Sequence, residues 1–333
     1  MNKVVTSVRS ISAAVLLLCG TVVAGNAAEK LLYMNDWLPG GDKALPFYAM
    51  QKGLFAKAGL DVSVQTARGS TEGLTRISTG SADVGSGGFA ALLQAKAEQK
   101  VPVTAVLSVF TMQPDSILTI EGSPLKTLRD LEGKTIATAT FTSSNVSWPI
   151  VLKANGIDES KIKLLKVDPA ALVPMLATGR VDGTINWSTA SPAFVKALAE
   201  TGKKLKIIPW SDYGFDGYGY SVWVADRLIA EKPAAVRAFV AAYIEGIKMA
   251  LANPKDVATS MKTLFPEMDA ALVEQQFLTI VPLIDNAISK AEGIGTFQKE
   301  RVGKTWEWTA KAQNVAVSSF DPETAVNRSF LPK

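Results

Sequence analysis

The sequence predicts an α/β protein of two similar lobes with a cleft between them, and three observations carry that expectation. First, the phrase Ile77-Ser78-Thr79-Gly80-Ser81-Ala82-Asp83-Val84-Gly85 is echoed by Leu176-Ala177-Thr178-Gly179-Arg180-Val181-Asp182-Gly183, with Thr, Gly and Asp in register 99 residues apart. Each copy ends a helical pattern and leads into a short apolar strand, so its Gly reads as the left-handed residue that closes a helix. Second, short apolar runs alternate with helical patterns over two consecutive stretches, the βαβ rhythm of a parallel sheet. Third, the pattern from 226 onward is almost wholly helical, with breaks at Pro233, Pro254, Pro266 and Gly293-Ile294-Gly295. Open α/β sheets bind ligands beyond the carboxyl ends of their strands. Two such edges facing one another place a site between the lobes.

The elements follow in order. Strands are expected over 31–35, 61–65, 82–85 and 101–109, and helices over 45–58 (broken by Gly53), 71–78 and 89–98. A strand over 117–120 opens the second series. It continues through strands at 134–137, 162–166 and 181–185, helices at 144–154, 172–178 and 193–200, and a closing strand at 219–224. The chain is expected to cross between lobes over 110–116 and 220–226. Lys203 to Lys206 alternates with apolar residues and leads into Ile207-Ile208, which suits a solvated strand edge better than a basic patch.

Ahead of the lobes, Lys3 and Arg9 form a positive n-region before the apolar run 11–23, and Gly25-Asn26-Ala27 supplies small residues for signal peptidase. Residues 1–27 therefore read as a cleaved signal peptide of an exported, periplasmic protein; the run is too short for a transmembrane helix. Cys19, the only cysteine, lies in that run behind three leucines, not behind the small residue that a lipoprotein signal uses. The chain has no histidine. That removes His-based triads, thiolate chemistry in the mature chain and Cys/His zinc sites, so neither a metal nor a cofactor is expected. Losing Lys3 and Arg9 lowers the formal charge of +4 by two, without charge blocks, and nothing favours nucleic acid. The chain is expected to act as a monomer.

Residues 125–137 (Leu-Lys-Thr-Leu-Arg-Asp-Leu-Glu-Gly-Lys-Thr-Ile-Ala) resemble the start of the second lobe in solute-binding proteins of the two-lobed periplasmic fold. Residues 55–62 and 80–85 are similar to the branch that binds sulfonates, taurine, nitrate and thiamine-pyrimidine precursors. Asn35-Asp36-Trp37-Leu38-Pro39 resembles the opening of the pyrimidine-precursor binders, which present an aromatic there, although their usual nearby histidine is missing. The resemblance spans nearly the whole mature chain. It implies a type II periplasmic-binding-protein fold: two βαβ lobes, a two-stranded hinge, and C-terminal helices on the first lobe. Residues 28–112 with 224–333 would form the first lobe, and 113–223 the second. It also implies the substrate-binding component of an ABC importer, handing a small solute to a membrane permease. The chain has no G-x-x-x-x-G-K-[ST] loop, so a separate ATPase would supply the energy.

The candidate ligand-binding residues fall into two sets. Gly69, Ser70, Ser86, Gly87, Thr142, Ser143, Ser144 and Asn145 lie where helices begin, as caps and as glycines that admit a ligand to the backbone. Helix N-termini favour anionic or oxygen-rich groups. The second set is aromatic with polar neighbours: Asp36 with Trp37, Asn186 with Trp187, and Tyr218. Trp37 and Trp187 follow strand ends in different lobes, and either stack on a flat heterocycle or pack in the core. The donors point to a sulfonate or carboxylate, the rings to a pyrimidine, and a ring bearing an acidic group satisfies both. Two other readings use the same cleft. One is an enzyme on this fold, of the desulfinase or pyrimidine-synthase kind, and the other an extracytoplasmic sensor.

Overall fold

The computed structural model describes Met1 and residues 28–332, so the expected leader, Cys19 included, lies outside the described residues apart from Met1. The first lobe opens with β1 (Glu29–Asn35), α1 (Leu45–Gln51), α2 (Leu54–Lys57), β2 (Leu60–Thr66), α3 (Ser70–Ser78), β3 (Val84–Gly88), α4 (Phe89–Gln99) and β4 (Val103–Ser108). The second contains β5 (Asp115–Ile120), β6 (Thr135–Ala139), α5 (Ser144–Ala154), β7 (Lys163–Val167), α6 (Leu172–Ala177), β8 (Gly183–Trp187), α7 (Ser191–Ala199) and β9 (Leu205–Pro209). β10 (Tyr220–Ala225) follows, and then six helices: α8 (Asp226–Glu231), α9 (Pro233–Ala252), α10 (Pro254–Leu264), α11 (Ala270–Ile284), α12 (Ala287–Glu292) and α13 (Lys299–Ala312).

Two five-stranded sheets result, ordered β2-β1-β3-β10-β4 and β7-β6-β8-β5-β9. In each, four strands run in one direction, and the fourth in the order, β10 or β5, runs antiparallel to both its neighbours. This is the two-lobed periplasmic-binding-protein architecture that the resemblance implied. The repeated phrase explains the likeness of the halves. Gly80 and Gly179 both take positive φ (81° and 72°), releasing α3 and α6 into their strands. The aspartate that follows then ties the strand to its neighbour. Asp83 Oδ2 accepts from Leu32 N at 2.8 Å, and Asp182 Oδ2 accepts from Thr135 N at 2.8 Å.

One strand lies elsewhere than expected. The segment read as the last strand of the second series pairs instead with β3 and β4 in the first sheet, and β9 is the second sheet's edge. All six β10 residues are buried. Such a run fits the middle of either sheet, and periodicity alone does not name its partner. The chain therefore returns to the first lobe before 220, through the glycine-rich segment 214–219. The C-terminal helices also reach further than expected. Phe55 stacks on Phe239 of α9 at 5.1 Å in the first lobe. α13, in contrast, packs on both α4 and α5, one from each lobe.

Candidate functional site

The first lobe's contribution is a loop. After β1, Asn35 Nδ2 donates to Trp37 O (2.8 Å), turning the chain away from the sheet. Gly41 then lies so close to α11 that a Cβ there would sit 1.9 Å from Val273 O, so only glycine fits. This seat directs Asp42 and Lys43 inward, and both are buried. Lys43 Nζ lies 2.9 Å from Asp36 Oδ1, both side chains being 3 % exposed. The same ammonium sits 3.9 Å from the Trp187 ring centroid and 4.1 Å from that of Tyr220, two cation–π contacts in a desolvated setting. Asp36 Oδ2 accepts from Ser70 Oγ (2.8 Å), which in turn accepts from Gly88 N (3.0 Å).

The second lobe supplies Thr142, Asn186 and Trp187, which with Asp36, Trp37, Asp42, Lys43 and Ser70 enclose one pocket. About 280 Å³ of empty space lies among them, but the centre of a water molecule fits in only about 10 Å³ of it. Room for roughly one water means that the lobes are drawn together. Asp42 Oδ2 accepts from Thr189 Oγ1 across the cleft at 2.9 Å. Burial pushes the Asp42 carboxyl up, against the opposing pull of Lys43 and Thr189. Asp115 opens β5 opposite Trp187 and is also buried. Burial raises its pKa to about 6, while Ser144, the Trp187 indole and Lys43 offset this only in part. Neither Asp115 Oδ1 nor Trp187 Nε1 has an aligned hydrogen-bond partner. An unpaired polar atom in so buried a place is costly unless something else completes it.

The two tryptophans each lean on the opposite lobe. Trp37, from the first, packs against the second-lobe cluster around Ala139 and Leu172. Trp187, from the second, packs into the first-lobe core beside Phe110 (5.9 Å) and Tyr220 (5.7 Å). They do not stand on corresponding strands, since β1 matches β6 by its tie to the repeated aspartate, whereas β8 matches β3.

Six of the residues singled out in the sequence meet in this pocket: Asp36, Trp37, Ser70, Thr142, Asn186 and Trp187. Seven do not line it. A Cβ on Gly69 would lie 2.2 Å from the Phe141 backbone, and one on Gly88 2.2 Å from Ser143 Oγ, so Gly69 and Ser143 serve the approach of the lobes. Gly87 makes room for the Trp223 ring, and the Ser86 hydroxyl is bonded to that of Tyr220. Ser144 and Thr142 bring their hydroxyls within 3.3 Å of each other. Asn145 spends its amide on its own loop, accepting from Thr138 Oγ1 and donating to Ala139 O and Thr140 O. Tyr218 packs in the first-lobe core, its hydroxyl donating to Thr296 O and accepting from Gln298 N.

The expected capping role is also corrected. Neither α3 nor α5 has a side-chain N-cap bond: the N-cap of α3 is Gly69, which has no side chain, that of α5 is Ser143, and Ser70, the first residue of α3, is engaged by Asp36 and Gly88. Asp42, Lys43 and Asp115 are functional candidates that the sequence did not single out. Gly40-Gly41-Asp42-Lys43, directly after the first strand end, is the one signal that could have found two of them.

A family model described as NMT1/THI5 like matches residues 42–257. The riboflavin-binding protein RibY of Chloroflexus aurantiacus is 25% identical over 296 residues, covering 86% of this chain and 82% of that protein. The taurine-binding periplasmic protein of Escherichia coli is 28% identical over 183 residues, 54% of each chain. Among solved structures, the alkanesulfonate-binding protein SsuA from Xanthomonas axonopodis pv. citri, bound to MOPS, superposes with a TM-score of 0.68. That match covers 91% of this chain and all of that one at 19% identity.

Proposed function

This chain belongs to the NMT1/THI5-like family, and from that premise we propose that it is a periplasmic solute-binding protein serving an ABC importer. A monomer captures a small organic solute between the lobes and closes on it. The closed form then docks on a permease driven by a separate ATPase. Contacts available only when both lobes meet, such as Asp42 with Thr189, give a ligand the differential affinity that shifts an open form to a closed one. The solute leaves unchanged, without cofactor, metal or covalent step.

The observation that carries the ligand class is the balance of charge. Asp36, Asp42 and Asp115 are buried around the Lys43 ammonium, which Asp36 already pairs. Buried charge demands opposite charge or donors. A further anion, whether sulfonate or carboxylate, would find no unpaired cation among the lining residues. A flat ring carrying amino groups would stack on the indoles and donate to the carboxylates. The anionic part of the sequence expectation is therefore set aside in favour of its heteroaromatic part.

Mass spectrometry of solute released from gently purified exported protein is the direct test. In thermal unfolding, 4-aminopyrimidine at about a hundred times its Kd should stabilise the protein by about 2.7 kcal/mol, and methanesulfonate should leave it unmoved. Stabilisation by methanesulfonate alone would overturn the ligand class. Turnover of the bound solute would overturn the transport role.

A further inference from the structure

Two covalent segments, 109–114 and 214–219, connect the lobes. They lie side by side: Gly219 N donates to Phe110 O (3.0 Å), and Gln113 Nε2 donates to Tyr218 O (2.7 Å). One side chain from outside both segments grips them together. Arg301 of α13, 14 % exposed, donates from Nε to Thr111 O (2.6 Å) on the first segment. From Nη2 it donates to Gly217 O (3.1 Å) on the second, and its guanidinium also pairs with the Asp216 carboxylate. Lys304 Nζ, one turn along, reaches Asp216 Oδ2 at 2.8 Å.

The helix that carries Arg301 is itself shared between the lobes. Trp306 is buried in the first-lobe core, while Trp308 meets Phe215, in the second-lobe cluster, edge-on at 5.4 Å. Beyond its end, Asn314 Oδ1 accepts from Lys153 Nζ of α5 at 2.8 Å. The rigid five-donor fork of arginine can hold several acceptors at fixed angles, which a lysine ammonium on a flexible stem cannot reproduce.

We infer that Arg301 is a positioning residue for lobe closure: it locks both connecting segments to each other and to α13, and so sets the angle at which the lobes rest. Hinge motion requires backbone rotation within those segments. Rotation there must turn the Thr111 and Gly217 carbonyls, and both are held by this one guanidinium. Removing it frees the segments, admits wider openings and lowers affinity for any ligand without touching the pocket. The inference rests on the reading of a protein that closes, but its test needs no ligand.

Spin labels on Gln65→Cys and Lys166→Cys, exposed positions near the ends of β2 and β7, report the interlobe distance in the full chain with Cys19→Ser. Pulsed EPR on the ligand-free protein should show Arg301→Ala broadening the distribution toward longer distances. Arg301→Lys should broaden it as well, since one ammonium cannot span both carbonyls. If either folded variant gives the parent distribution, the inference is overturned. Should Arg301→Ala fail to fold, Arg301→Lys alone decides. A parent distribution that no released solute can narrow would overturn the closing reading instead, and leave the effect of Arg301 on the resting angle legible.

Discussion

The two lobes bring different chemistry to the same pocket. The first supplies every charged group that lines it, Asp36, Asp42 and Lys43, all from one short loop; the second supplies neutral Thr142, Asn186 and Trp187. Charges leaving water need partners close at hand. Asp36 has them within its own lobe, in Ser70 and Lys43, whereas the side-chain partner of Asp42, Thr189, comes only from across the cleft. The difference teaches a division of labour. The first lobe presents a polar seat whose inner part is already organised, and the second completes it with the Thr189 hydroxyl on Asp42, Thr142, Asn186 and an aromatic wall.

The largest test of that comparison breaks the seat. Asp36→Ala removes the carboxylate in direct contact with the buried Lys43 ammonium, leaving it among aromatic faces, at a cost of about 3–5 kcal/mol in urea unfolding. Adding Lys43→Met should restore most of it, because the orphaned charge goes too. Equal stability of the single and double variants would show that the pair is not the organising element.

A smaller effect sharpens the comparison from the second lobe, where Asp115 lies just outside the lining. Its carboxyl titrates near 3.8 in the unfolded chain and about 6 in the folded one, so the folded state holds the proton more tightly. Stability from this group is therefore full below about pH 4 and is lost as pH rises through about 6. Asp115→Asn should flatten that fall. At pH 7 it should gain on the order of 2–3 kcal/mol relative to the parent, since a tenfold difference in proton affinity between the two states corresponds to about 1.36 kcal/mol. An unchanged pH profile would mean that Asp115 stays ionised in the folded protein. Smallest is the aromatic wall: Trp187→Ala should weaken binding of the released solute by about 1–3 kcal/mol, read by calorimetry on folded protein. Undiminished binding would assign that ring to packing alone.

Much of this architecture is legible in the amino acids because it rests on local signals. The Thr-Gly-Asp repeat marks two helix ends at which only glycine is at ease, and the aspartate's second role follows from its place beside the next strand. What the sequence hides is pairing at a distance. β10 is buried all round, and such a run carries no mark of which sheet will hold it. The pocket divides the same way. Trp37 and Trp187 are visible as aromatics at strand ends, but that each leans on the other lobe depends on how the lobes meet. Asn145 and Tyr218 are attractive by type and position, yet their polar atoms are claimed by nearby backbone. Lys43 stays hidden because a lysine beside an aspartate ordinarily reads as surface, and only the packing of Trp187 and Tyr220 over its ammonium removes it from water.

The crossed order of the sheets bears on how the chain reaches this state after synthesis. Every strand of the second sheet comes from one uninterrupted stretch, Asp115 to Pro209, so that sheet can be completed as soon as those residues have emerged. The first sheet cannot. Its β3 and β4 stay unjoined until β10 arrives from beyond the entire second lobe, and closing so long a loop is slow relative to local contacts. Until then β3 and β4 present open edges, the kind of surface on which chains associate wrongly. The half that is translated first is thus the half that matures last, and the interval between the two is when the new chain is most exposed to aggregation.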